Sequence, residues 1–202
     1  EGSNLPLSEM FKRRYGMQAG NIIGTGSYIP DYEKPDVETG QSTTATPFWG
    51  VAASAAEVEV DTETGHFTIT KLINVADVGT ALNPKLVRLQ LSGAAIMQLG
   101  FTTTEEMIFR DGQLTNGSFA DYKIPTLLDI PREFVNTWTH SEQKDGPFGA
   151  KGAGESTTIT LSPAIGNAIA DAVGVRLTDL PLTPEKIYRA LIAKDGAAAK
   201  GK

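Results

Sequence analysis

Two runs of apolar residues, Val51 to Val60 and Phe67 to Val75, are separated by Asp61-Thr62-Glu63-Thr64-Gly65, an acidic turn closed by glycine. This pattern predicts a β-hairpin. In its first arm Val58 and Val60 alternate with Glu57, Glu59 and Asp61, so one face packs and the other is wet. After it the period changes. Asn83-Pro84 opens a helix, with Asn83 as N-cap and Pro84 at the first helical position, running to about Gly100. Between Leu89 and Phe101 that helix is interrupted only by Gln90, Ser92 and Gln98, which predicts burial on most sides.

The remaining elements are shorter. Residues 5 to 16 read as a helix with Ser8 as cap, Met10, Phe11 and Tyr15 at helical spacing and Gly16 as its end. Gly24 to Gln41 has no period and reads as a long loop that binds or wraps a partner. Asp111-Gly112 marks a second hairpin within residues 104 to 115, and Phe134 to Trp138 is a further strand. Ser162-Pro163 opens a helix carrying Ile165, Ile169, Ala172 and Val173 to Gly174, and Thr183-Pro184-Glu185 opens another on Ile187, Ala190 and Leu191. The tail from Lys194 to Lys202 lacks a packing face and reads as disordered. Hairpins mixed with capped helices, without regular strand and helix alternation, give an α+β class: a mixed sheet packed with buried Gly- and Ala-rich helices.

Charge and composition narrow the chemistry. The 18 Lys and Arg residues stand against 24 Asp and Glu, a net charge of -6, which is the wrong sign for a protein that tracks phosphates and argues against a nucleic-acid partner. With no cysteine, the chain has no disulfide, zinc finger, iron–sulfur ligand or thiol nucleophile. No run approaches the roughly 18 apolar residues of a membrane span, so a soluble, cytoplasmic protein is expected, a periplasmic one if it is exported with a partner. The opening Glu1-Gly2-Ser3-Asn4 is neither a signal peptide nor a natural initiator, and the chain reads as cut.

Glycine is the outlier, at 21 of 202 residues against a usual share of about 7%. Four fall within nine residues, at Gly146, Gly149, Gly152 and Gly154. In a Walker A loop Lys is followed by Ser or Thr, whereas Lys151 is followed by Gly152. The glycine spacing also fails the dinucleotide fingerprint, and a nucleophile elbow would need Ser between the glycines. What remains is a loop that lets backbone N–H groups approach an anionic or bulky group, with Glu155 beside it as a candidate base. A flexible surface loop is the competing reading.

The run GPFGAKGAGE (Gly146 to Glu155), then Ser162-Pro163-Ala164-Ile165, Asn167-Ala168-Ile169, Asp171-Ala172 and Leu180 to Ile187, resembles the C-terminal part of the molybdenum-binding subunit of the xanthine dehydrogenase and aldehyde oxidase family of molybdenum hydroxylases. Upstream, Glu57 to Asp61, Asp77-Val78-Gly79, Leu82-Asn83-Pro84, Gln90, Gly93, Gln98-Leu99-Gly100, Glu105-Glu106 and Asp121-Tyr122 agree with it, so the likeness runs from about Leu5 to Leu191. It implies that residues 1 to 193 form a molybdopterin-cofactor-binding region, with room for two subdomains, ahead of the 194 to 202 tail.

The resemblance also implies chemistry. The cofactor is molybdenum on a molybdopterin, in bacteria usually the cytosine dinucleotide form, and no side chain of the protein binds the metal. Glu155 matches the family's general base, which takes a proton as an oxygen attacks an electrophilic carbon of an aldehyde or N-heterocycle; apolar and glycine neighbours would desolvate it and raise its pKa. Ala150, Lys151, Gly152 and Gly154 would pass close to the cofactor and Gln90 would hydrogen-bond it, while Asn83 and Lys85 at a helix start would favour its pyrophosphate. Each has a plainer reading: Gln90 satisfying a carbonyl, Asn83 a cap, Lys85 a solvated charge. His66 and His140 read as surface residues, and Trp49 and Trp138 as packing.

Two departures stand out. The family commonly has Gly before and Glu two residues after the helix glutamine, where this chain has Leu89 and Ser92. The family's molybdenum subunit is also several times longer, so the chain is expected to be a C-terminal fragment or one piece of a split subunit, inactive alone. Its partners would be the remainder of that subunit and chains carrying 2Fe-2S clusters and FAD, with a small-molecule substrate. The competing class is a structural or interaction domain that keeps the fold without the cofactor.

Overall fold

The computed structural model describes residues 4–16 and 23–200, with no side-chain description beyond residue 196. The chain divides into two compact units, Glu1–Asp31 and Tyr32–Lys202. In the first, α1 spans Leu7–Tyr15. Ser8 lies inside this helix instead of capping it; Pro6 is at the N-cap, with its fixed φ of -59°, and no side chain caps the first turn. Gly16 ends the helix as expected, left-handed at φ 69°, its N–H donating to Lys12 O at 2.9 Å. Residues 24 to 41 carry neither helix nor strand.

The second unit is built on three strands in the order β1 (Ala52–Val60), β2 (Phe67–Asp77), β5 (Glu133–Thr139). β1 and β2 form the expected antiparallel hairpin, with a bulge between Glu57 and Val58, and β5 joins β2 in parallel. One polar row crosses the sheet. Ser54 pairs with Asn74 and Asn74 with Asn136. Ser54 Oγ donates to Asn74 Oδ1 at 2.6 Å, and Asn74 Nδ2 to Asn136 Oδ1 at 3.0 Å. A register slip would leave these buried groups unpaired, so the row specifies strand alignment as well as satisfying itself. The second hairpin is present but minimal, β3 (Phe109–Arg110) with β4 (Gln113–Leu114), turning on Asp111 and Gly112, both at positive φ.

Among the described residues three α-helices complete the unit, α2 (Pro84–Thr103), α3 (Thr158–Val173) and α4 (Pro184–Lys200). Asn83 caps α2, its Oδ1 accepting from Leu86 N at 3.2 Å, and Thr183 Oγ1 accepts from Lys186 N at the start of α4. α3 starts at Thr158, a turn before the expected Ser162-Pro163, and takes Pro163 into its interior. α4 continues to Lys200, across most of the segment read as a disordered tail. α2 is not buried on most sides. Leu91, Ala94, Ala95 and Leu99 face the core, while Leu86 and Leu89 are about two-thirds exposed at 60% and 67%.

The main core joins Leu72 of β2, Ala95 and Leu99 of α2, Leu161, Ile165 and Ile169 of α3, and Leu182 and Ile187. A smaller cluster of Ala76, Val78 and Leu91 lies where β2 gives way to α2; Trp138 and Ala153 pack against it. Trp138 thus packs as expected, with Arg88 5.9 Å from its ring centre. Trp49 does not; it is exposed.

Candidate functional site

The glycine-rich loop lies against the turn from β2 into α2. Its first half is tied by main chain. Thr80 N donates to Gly149 O at 2.8 Å and Lys151 N to Val78 O at 2.9 Å, making an isolated antiparallel bridge between Gly79 and Ala150. The close approach requires glycine. At Gly79 φ is 58° and a Cβ would sit 2.3 Å from Gly149 O; Gly149 is itself at φ 77°. The second half is tied by side chains. Gln90 Nε2 donates to Gly154 O at 2.9 Å, Thr157 Oγ1 to Leu91 O at 3.0 Å, and Ala153 seats against the Ala76, Val78 and Leu91 cluster. Both ends of the loop therefore converge on residues 78 to 91, the strand-to-helix turn that Asn83 caps.

Between those ties, the predicted residues divide. Glu155 is exposed, two residues before the N-cap of α3; its carbonyl accepts from Thr158 N at 3.0 Å and Thr158 Oγ1 at 2.7 Å. The apolar enclosure expected around its carboxylate is not supplied by the described residues. Gln90 reaches the loop from α2, and Asn83 serves as the helix cap. Lys85 is exposed on the first turn of α2. Lys151, expected as part of the loop that passes close to the cofactor, sends its ammonium into the chain, donating to Asp77 Oδ2 at 2.5 Å and Ser141 Oγ at 2.7 Å, with its side chain only 8% exposed.

Asp77 closes this network, and the sequence reading gave it no role in the site. Its Oδ1 accepts from Gly79 N and Ser141 N, each at 3.0 Å, and its Oδ2 from the Ser141 hydroxyl and Lys151. Burial alone would push the Asp77 carboxyl up. The hydrogen bonds from Lys151, Ser141 and the two backbone N–H groups outweigh it and hold the carboxyl well below the usual carboxylate range. A signal existed: an Asp ending an apolar strand, directly before Val78-Gly79, must find a cation or several donors.

The open part of the loop has chemistry to offer. Among the described residues, the N–H groups of Gly152, Ala153, Gly154 and Glu155 make no backbone–backbone hydrogen bond. Gly152 and Gly154 also differ from the other loop glycines. Neither is at positive φ; a Cβ on Gly154 meets nothing within 4 Å, and one on Gly152 meets only Phe48, at 3.4 Å. Nothing among the described residues requires glycine there. A run of donors beside side-chain-free positions fits a polar or anionic group brought against the loop from outside. A cavity of about 450 Å³ lies elsewhere, lined by His66, Leu99, Thr103, Pro131 and Arg132 among others, and contains no predicted site residue.

A family model described as "Molybdopterin cofactor-binding domain" matches residues 2–131. Over 182 residues, 89% of this chain and 18% of the relative, the sequence is 37% identical to the Escherichia coli K12 protein named "Probable hypoxanthine oxidase XdhD". The chain belongs to the molybdenum hydroxylase family. Another family member, the aldehyde oxidoreductase molybdenum-binding subunit PaoC of E. coli K12, is 35% identical over 138 residues, 67% of this chain and 19% of that protein. The fold of this molybdenum hydroxylase chain is shared with aldehyde oxidoreductase from Desulfovibrio gigas, with a TM-score of 0.72 and 29% identity over 79% of this chain and 17% of that one. The chain spans about a fifth of the length of the curated relatives it matches. No helix among the described residues is long and apolar enough to cross a membrane.

Proposed function

We propose that this chain supplies the general base and part of the cofactor cradle of a molybdenum hydroxylase acting on an aldehyde or N-heterocyclic carbon. The observation that carries the reading is the convergence of both ends of the glycine loop on residues 78 to 91, which sets Glu155 one residue from the Gln90-bound carbonyl of Gly154. In this reading the cofactor is a molybdopterin, in the cytosine dinucleotide form. When bound, it supplies the oxidising centre and the oxygen delivered to substrate. The donors at Gly152 to Glu155 would hold its polar edge, Gln90 and Ala150 would border it, and Asn83 with Lys85 would favour its pyrophosphate at the N-terminus of α2. Glu155 accepts the proton released as the substrate carbon gains its hydroxyl oxygen.

The exposure of Glu155 supports a split site. Its low-dielectric surroundings come from the rest of the molybdenum subunit, so the 202-residue chain is inactive alone, and electrons leave through 2Fe-2S and FAD centres in partner chains or domains. In this reading the assembly works in the cytoplasm, or in the periplasm if it is exported with a partner. The test is Glu155→Gln in the native complex, with molybdenum and pterin content measured beside turnover. The expected result is loss of turnover by at least about 10²-fold, the usual scale of acid–base catalysis, with cofactor content retained. Unchanged turnover removes Glu155 from the mechanism.

A further inference from the structure

We propose that Asp77, Ser141 and Lys151 form a positioning clamp that sets where Glu155 stands. The inference rests on Glu155 being the base and assigns Lys151 a role other than touching the cofactor. Lys151 closes the half of the loop that is bonded to the strand turn: its N–H is fixed to Val78 O and its ammonium to Asp77 and Ser141. The next tie is at Gly154 O, which accepts from the Gln90 side chain. Glu155 follows directly. The span from Gly152 to Gly154 thus hangs between two posts, Glu155 stands just beyond the second with its own carbonyl accepting from Thr158, and among the described residues the span meets the buried cluster through the Ala153 side chain.

The clamp is the stiffer post. Lys and Asp are both nearly enclosed, with side chains 8% and 6% exposed, and each bond is charge-assisted. Asp77 belongs to β2, paired on both sides in the sheet, while Ser141 follows the end of β5; the clamp therefore refers the loop to the sheet and not to another loop. Two glycines without a side chain to pack flank Ala153, so the span has little stiffness of its own. The clamp fixes the upstream end of the span that leads to Glu155, so its loss leaves Glu155 held from the Gly154 and Thr158 side alone, and a misplacement of about 1 Å in a reacting group costs on the order of 10²-fold in rate.

The experiment uses the complex carrying Asp77→Asn together with Lys151→Met, which removes the pair without leaving a lone buried charge, and Ser141→Ala as a milder variant that keeps the pair. Three readouts are taken: kcat and KM, molybdenum and pterin content, and amide hydrogen exchange over residues 78 to 80 and 149 to 155. The expected result for the double variant is kcat lower by on the order of 10²-fold, KM within about threefold of wild type, cofactor content unchanged and faster exchange confined to those two segments. Ser141→Ala moves the same readouts in the same direction by less, and decides the matter if the double variant does not fold. Cofactor loss in step with activity overturns the clamp, because Lys151 would then be a cofactor contact. Unchanged kcat and unchanged exchange overturn it as well. If Glu155→Gln keeps full turnover, the base assignment fails by itself, and the exchange readout still decides whether the clamp holds the loop.

Discussion

Gly146 to Lys151 and Gly152 to Glu155 share a glycine-rich composition and differ in what holds them. The first stretch is glycine-rich for reasons inside the chain. Gly149 has a positive φ, a Cβ on Gly146 would lie 2.4 Å from Ala150 O, and the facing Gly79 is closed off by Gly149 O. The second stretch has no such reason: its two glycines are unstrained and open, and its N–H groups lack main-chain acceptors among the described residues. One composition has two causes, a fold that needs close backbone approach and a surface that has room for something else.

The largest test of the anchored half is Lys151→Met. Removing the cation strands a buried Asp77 carboxylate, and breaking a buried pair from one side costs about 3–5 kcal/mol. Urea unfolding of the variant should show that loss in the midpoint, and Asp77→Asn added on top should recover much of it, since a neutral pair leaves no uncompensated charge. If the double variant is as unstable as the single one, the ion pair is not what Lys151 contributes.

The same pair gives a pH dependence with a defined sign. The Asp77 carboxyl is held below its unfolded value of about 3.9, so the folded state binds fewer protons than the unfolded state as pH falls past that value. Its contribution is complete above about pH 4 and is lost progressively below it. The stability of wild type relative to the Asp77→Asn, Lys151→Met double variant should therefore decline from about pH 4 downward. A difference that stays constant between pH 6 and pH 3 contradicts the assignment.

Gly79→Ala tests the bridge between strand turn and loop. A left-handed φ costs a residue with a Cβ about 1–2 kcal/mol, and the contact with Gly149 O adds to it. The thermal midpoint should drop, and exchange at Thr80 and Lys151, whose N–H groups make the bridge, should accelerate. Normal stability in this variant means that the bridge is dispensable.

Local rules made the hairpin, the capped helix α2 and the β5 strand legible, because alternation, Asn83-Pro84 and an apolar run each act within a few residues. What escaped depended on partners distant in sequence. That β5 runs parallel to β2, that α2 leaves Leu86 and Leu89 outside, and that Lys151 turns inward to Asp77 are tertiary facts. The start of α3 was misplaced because Pro163 favours a first turn, yet Thr157 already fixes the chain one turn earlier through its bond to Leu91 O. At the site, the glycine cluster and Glu155 as a candidate base stood out from composition and spacing, Gln90 and the cofactor came from family likeness, and the structure adds that Gln90 and the loop meet. The Asp77 and Ser141 partners lay 74 and 10 residues from Lys151, beyond any spacing rule.

The smallest expected effect on stability is the most telling about function. Gly154→Ala adds a methyl where nothing lies within 4 Å and φ is not positive, so the fold should change by no more than about 0.5 kcal/mol. If the open half of the loop exists to receive a cofactor, that methyl occupies the space the cofactor needs. The variant should then match wild type in unfolding and in the circular dichroism of the chain, while molybdenum and pterin content of the complex falls. Full cofactor content with normal stability would mean that the glycine answers to neither fold nor ligand, and the contrast between the two halves of the loop would lose its meaning.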